Sequence, residues 1–125
     1  MINLIEKEKI ILKLNPKKYF FTQGFLAFNF SFKKKIIVTN KRIVVSCSFF
    51  GFEKFKPMAL SYWFQESDYN SETKINSAYI LEHNIETNKK GNSFLKIKVN
   101  MKPKATIKIY DESVEQINEM IKENT

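Results

Sequence analysis

The chain has 125 residues, a formal net charge of +8 and a single cysteine, Cys47. That length suits one domain, expected to span 1–125, because a single core organises ~100–200 residues. A lone cysteine excludes an internal disulfide framework, and 43% apolar with 27% charged residues is a globular balance rather than a disordered one.

Residues 1–9 are expected to form a loosely ordered lead-in. Charges interrupt MINLIEKEKIILKL, so it holds no continuous apolar stretch of the kind a secretory signal needs. Ile10, Ile11, Leu12 and Leu14 fit the start of a strand or of a short helix. The longest uncharged run, Tyr19 to Phe32, falls short of the ~20 apolar residues that span a bilayer and contains Thr22, Gln23, Asn29 and Ser31. A cytoplasmic protein is the expectation.

From Leu26 onward, apolar and polar residues alternate as they do in half-buried strands. Leu26, Phe28, Phe30 and Phe32 share one face. Ile36 and Val38 point inward, and Thr39-Asn40-Lys41 makes a turn in which Asn40 suits a left-handed backbone. The return strand puts Ile43, Val45, Cys47 and Phe49 on one face. A further strand within 54–64 places Met58, Leu60, Tyr62 and Phe64 together, with Pro57 marking an edge or bulge.

Gln65 to Lys74 is polar throughout and reads as a mobile loop. Strand character returns over 77–87, with Leu81, His83 and Ile85 on one side, and Asn88–Asn92 is a turn. The next strand, 94–100, buries Leu95, Ile97 and Val99. Its partner buries Ala105, Ile107 and Ile109, while Lys96, Lys98 and Lys108 point outward. Finally Val114, Ile117, Met120 and Ile121 recur at helical spacing, and Ser113 with Gln116 has the form of a capping box. Seven or eight short strands followed by one helix predict a small barrel or two-sheet sandwich packed against its C-terminal helix.

The run Ile36-Ile37-Val38-Thr39-Asn40-Lys41-Arg42-Ile43-Val44-Val45 resembles the apolar-Thr-Asn-x-Arg-apolar hairpin of bacterial pleckstrin-homology-like and GRAM-type domains. Thr22-Gln23-Gly24-Phe25 stands where that family has a glycine-containing first segment, and Ile75 to Ile80 where it has an isoleucine-centred strand. The resemblance implies a mostly-β, PH-like bent barrel of about seven antiparallel strands with one C-terminal α-helix. Family members that bind phosphoinositides carry Lys and Arg in the loop joining the first two strands. Asn15-Pro16-Lys17-Lys18 lacks that Lys-x-Arg pattern.

No catalytic, cofactor-binding or metal-binding residue is expected. His83 is the only histidine and shares its face with Leu81 and Ile85, as a hydrogen-bonded boundary residue would. Cys47 beside Val45 and Phe49 reads as a small buried hydrophobe rather than an exposed thiolate. Glu66, Asp68, Asn70 and Glu72 alternate as in a calcium loop but lack its glycine and terminal glutamate. Three glycines, at 24, 51 and 91, make no phosphate cradle.

Two surfaces stand out. Lys33, Lys34 and Lys35 with Lys41 and Arg42 form a basic cluster across the hairpin, which is either a binding patch or a solvated edge guarded by lysine. Alternation puts Trp63 opposite Met58, Leu60 and Phe64, so Trp63 either anchors a partner or is covered by the chain itself.

Twenty of the 21 basic residues are lysine. That disfavours nucleic-acid readers, which favour the arginine fork. Abundant Lys, Asn, Ile and Phe match the codon bias of an AT-rich bacterial genome. The expected function is a non-catalytic interaction module that binds a protein or associates with itself. The alternative is peripheral binding to anionic lipid through the lysine clusters.

Overall fold

In a computed structural model the chain is described at residues 4–29, 35–47, 58–72 and 76–124; of 26–29, 47 and 58 only the backbone is described. Nine strands and two helices are found among these residues. In order they are β1 (Ile10–Leu14), β2 (Lys18–Gln23), β3 (Leu26–Asn29), β4 (Lys35–Thr39), β5 (Arg42–Cys47), β6 (Met58–Trp63), α1 (Glu66–Ser71), β7 (Ser77–Thr87), β8 (Ser93–Val99), β9 (Ala105–Tyr110) and α2 (Val114–Glu123). The fold is therefore mostly β with a C-terminal helix, and the ambiguous segment from Ile10 is a strand.

The strands lie in the order β1-β4-β5-β6-β7-β8-β9-β2-β3. All neighbours are antiparallel except β6 and β7, which run parallel from Ser61↔Ser77 to Trp63↔Tyr79. A parallel pair needs a crossover, and the connection that contains α1 supplies it. The loop expected over 65–74 is thus in part helical: Tyr69 tilts against Tyr79 at 5.2 Å, and Asp68 meets Lys41 at 3.7 Å.

The sheet curls. Asn15–Lys17 links β1, at one end of the order, to β2, beside the other end, and four Cα steps reach at most ~14 Å. Tyr19 on β2 and Tyr62 on β6 stand four strands apart, ~19 Å in a flat sheet, yet their hydroxyls meet at 2.7 Å. The curl stops short of closure. Among the described residues β1 and β3 are edges, so the closed antiparallel barrel gives way to an open sheet with one parallel pair.

The hollow is filled by the alternating residues the sequence points inward. Ile36, Val38, Ile43, Val45, Leu60, Tyr62 and Phe64 come from one half of the sheet. Leu95, Ile97, Val99, Ala105, Ile107, Ile109 and Tyr19 come from the other. Helix α2 lays Val114, Ile117, Met120 and Ile121 onto this core.

Strand β7 departs from simple alternation. A bulge between Ile80↔Val99 and Glu82↔Lys98 leaves Leu81 unpaired and 42% exposed. Ala78 and Ile80 face the core before it, and Ile85 packs on the core after it. One extra residue shifts the inward set from even to odd positions, which is why Leu81 does not share the core face.

Local chemistry sets the turns. Asn88 Oδ1 accepts from the Lys90 and Asn92 amides, both at 2.9 Å. Gly24 has φ +58°, and a Cβ there would lie 3.1 Å from Pro103, so the β2–β3 turn requires glycine. Asn40 is not among the left-handed residues, which among the described residues are Lys7, Asn76, Gly24 and Gly91. Ser113 makes no side-chain cap on α2, contrary to the capping-box pattern; Asp111 Oδ2 instead accepts the Ser113 amide at 2.9 Å.

Candidate interaction surface

The turn Thr39–Arg42 carries the sharpest motif, and its side chains work internally. Thr39 Oγ1 accepts from the Lys41 and Arg42 amides at 3.0 Å each, closing the turn. The same hydroxyl donates to Glu8 at 2.7 Å. Arg42 donates from Nε and Nη2 to the two Glu8 oxygens at 2.9 and 3.2 Å, and from Nη1 to Ser61 at 3.1 Å. Its guanidinium lies 4.5 Å from the centre of the Trp63 ring, and Trp63 Nε1 donates to Ser77 at 2.8 Å.

Of the candidate surface residues, Arg42 and Trp63 are therefore corrected: they are 9% and 2% exposed. Alternation does turn Trp63 away from Tyr62, but its cross-strand partner Arg42 covers that side. Lys41 is half-buried beside Asp68, and Lys35 is exposed at the start of β4. Lys33 and Lys34 lie outside the described residues, as do the Phe30, Phe32 and Phe49 positions and the side chains of Phe28 and Cys47.

The outer face of β8, β9 and β2 assembles a surface that no local pattern announces. Register sets Phe94, Tyr110 and Lys18 in one row, Lys96, Lys108 and Phe20 in the next, and Lys98, Thr106 and Thr22 in a third. The Phe94 and Tyr110 rings are 4.9 Å apart, and Phe20 meets Tyr110 edge-on at 5.8 Å. Lys108 lies 5.4 Å from the Phe94 ring and Lys18 6.0 Å from the Tyr110 ring. Both contacts fall within the usual reach of a cation–π pair.

On β7, Glu86 pairs with Lys96 at 3.4 Å and Glu82 with Lys98 at 3.5 Å. The Asn84 amide donates to Glu86 at 3.0 Å, and with the charges of Lys96 and Lys108 it holds that carboxyl below its ordinary pKa, against a desolvation that works the other way. Four lysines thus face two carboxylates around the half-buried Phe20 and Tyr110 rings and the buried Phe94 ring. Lys96, Lys98 and Lys108 are legible as outward residues. Phe20, Tyr110 and Lys18 join them only through the non-local pairing of β2 with β9.

Two features border this face. A cleft of about 350 Å³ is lined by Lys17, Lys18, Ser93, Tyr110, Glu112 and Glu115, where α2 begins. At the opposite end the β2–β3 turn projects Phe25, fully exposed, beside the exposed Lys102 and Lys104 of the neighbouring turn. Gln23 Nε2 donates to the Pro103 carbonyl at 3.0 Å and ties the two turns together.

His83 is half-buried with Nδ1 2.6 Å from Asn118 Oδ1, so it joins β7 to α2. Among the described residues no group of three potential metal ligands converges. No helix there is long and apolar enough to cross a membrane. No family model, curated protein or solved structure matches this chain.

Proposed function

We propose that this is a non-catalytic interaction module of PH-like type. In this reading the curled sheet is a scaffold, and the face of Lys18, Lys96, Lys98, Lys108, Phe20 and Tyr110 receives an acidic segment of a protein partner. One observation carries it: aromatic rings and lysines alternate across three strands on the side away from α2. Aromatic anchors supply contact area and the lysines orient a partner of opposite charge.

A peptide-display selection on the purified chain tests this. Acidic sequences containing apolar residues should be enriched. Their affinity should fall with salt and should drop at least ~10-fold in Lys18→Glu/Lys108→Glu and in Tyr110→Ala, the loss expected when an interface anchor is removed. Enrichment of no such class, or binding untouched by these variants, rejects the face.

A second reading, peripheral docking on anionic membranes, is favoured by the exposed Phe25 beside the turn that carries the exposed Lys102 and Lys104. An apolar tip with cations on the adjoining turn combines insertion with attraction to acidic headgroups. Vesicles of phosphatidylcholine with phosphatidylglycerol should then sediment the protein at low salt, and Phe25→Ala should abolish this without changing the melting temperature. Absence of sedimentation at low salt removes this reading.

A further inference from the structure

The body of the chain holds its own N-terminal segment in the manner of a bound ligand. Asn40 brackets Glu8 on both sides: Nδ2 donates to the Lys7 carbonyl at 3.1 Å, and Oδ1 accepts from the Lys9 amide at 2.7 Å. Between those contacts the Glu8 carboxylate enters the site made by Thr39 and Arg42. Lys7 takes φ +65°, a left-handed value that residues other than glycine seldom adopt. Within the segment the Glu8 amide donates to the Ile5 carbonyl at 3.1 Å and the Ile5 amide to the Glu8 carboxylate at 3.0 Å, so Lys7 sits in a local turn that presents Glu8 to the Thr39–Arg42 site. Beyond Lys9, β1 adds to β4 as an edge strand, with Ile10 and Ile11 40% and 49% exposed.

None of these contacts requires the segment to belong to the same molecule. Asn15–Lys17 is its covalent link to β2, and β2 lies toward the far end of the strand order from β1. We infer that the Thr39–Arg42 turn and the β4 edge form a docking groove for a glutamate-bearing turn and the strand that follows it, and that a second copy of this chain supplies both by reciprocal exchange of residues 5–14. Glu8 of one protomer then occupies the Thr39–Arg42 site of its partner. Each hydrogen bond between residues 5–14 and the body is remade across the dimer, and the link at 15–17, where the Lys17 amide donates to the Tyr110 carbonyl at 2.8 Å in the closed form, changes course. Because departure of the segment unpairs a buried carboxylate and guanidinium, the closed and exchanged forms interconvert slowly. This exchange goes beyond the lysine–aromatic face and does not rest on it.

The β1–β4 register sets Lys13 opposite Ile37, which provides a test in the full chain. Lys13→Cys/Ile37→Cys is made with Cys47→Ser, so that the only thiols are the engineered pair. Refolded dilute and then oxidised, the protein should carry one internal bridge, which also verifies the register. Refolded concentrated, a share should run as a covalent dimer on a denaturing, non-reducing gel. That share should rise with concentration, with twice the monomer mass by light scattering before oxidation. Deleting Asn15 shortens the link and should raise the dimer share several-fold. Internal bridges alone at every concentration, in both the parent pair and the shortened link, overturn the proposal. So does a dimer whose bridges are all internal, since it would be joined through another face. Lys18→Glu/Lys108→Glu should leave the exchange unchanged, which separates it from the peptide-binding face.

Discussion

At the scale of single residues, Glu8 and Arg42 decide more than any other pair described. The Glu8 side chain is 0% exposed and that of Arg42 11%, so both charges have left bulk water. Two hydrogen bonds between them, one from Thr39 to the carboxylate and one from Arg42 to Ser61 offset that desolvation. Removing one partner strands the other. Glu8→Ala should therefore cost about 3–5 kcal/mol in urea unfolding, the range for breaking a buried pair. Glu8→Gln keeps the shape and some hydrogen bonds and should cost about 2 kcal/mol. A change below about 1 kcal/mol for the alanine variant, the level of an exposed pair, would place Glu8 in solvent. The motif Thr39-Asn40-Lys41-Arg42 was visible in the sequence, but its partner was not. Glu8 lies more than thirty positions away in a segment of mixed character, and no periodicity marks it as buried.

At the scale of elements, alternation and helical spacing are strong guides wherever one face meets the core. The inward sets of β8, β9 and α2 are the ones read from the sequence, because one side of each element packs on the core without irregularity, Phe94 of β8 alone being buried on the opposite side. Ile117, fully buried at the centre of α2, should cost about 2–5 kcal/mol as Ile117→Ala. Leu81, apolar by sequence but set on the β7 bulge, should change stability by no more than about 0.5 kcal/mol as Leu81→Ala. Chemical denaturation of the two variants side by side checks both, and equal losses would mean that Leu81 is packed. The bulge itself is hidden in the sequence because Leu81-Glu82-His83-Asn84-Ile85, taken alone, has the form of ordinary alternation. The helical turn of α1 escaped too, since its six residues bury none of their side chains.

At the scale of the whole molecule, curvature determines which residues can act together. It brings Tyr19 to Tyr62 and gives α2 a hollow to fill. It also turns the opposite side of β8, β9 and β2 outward. The face expected to take acidic peptides depends on this arrangement. Its charges are partly exposed, so binding there should weaken with salt as screening shortens their reach. The Glu8–Arg42 pair is shielded from that screening. Variants of the face should therefore alter binding without altering stability, and variants of the pair should do the reverse.

The sequence by itself determined the period of each main strand, the amphipathic closing helix and the turn at Asn88–Asn92, because each follows from side chains a few residues apart. The tertiary structure alone decided that Arg42 and Trp63 are interior, that Phe20, Tyr110 and Lys18 stand beside Lys96 and Lys108, and that β6 and β7 run parallel. The physical reason is the same in each case: which strand lies beside which depends on how the whole sheet bends to bury its apolar side, and a local pattern of residues records which way a side chain faces but not what stands opposite it.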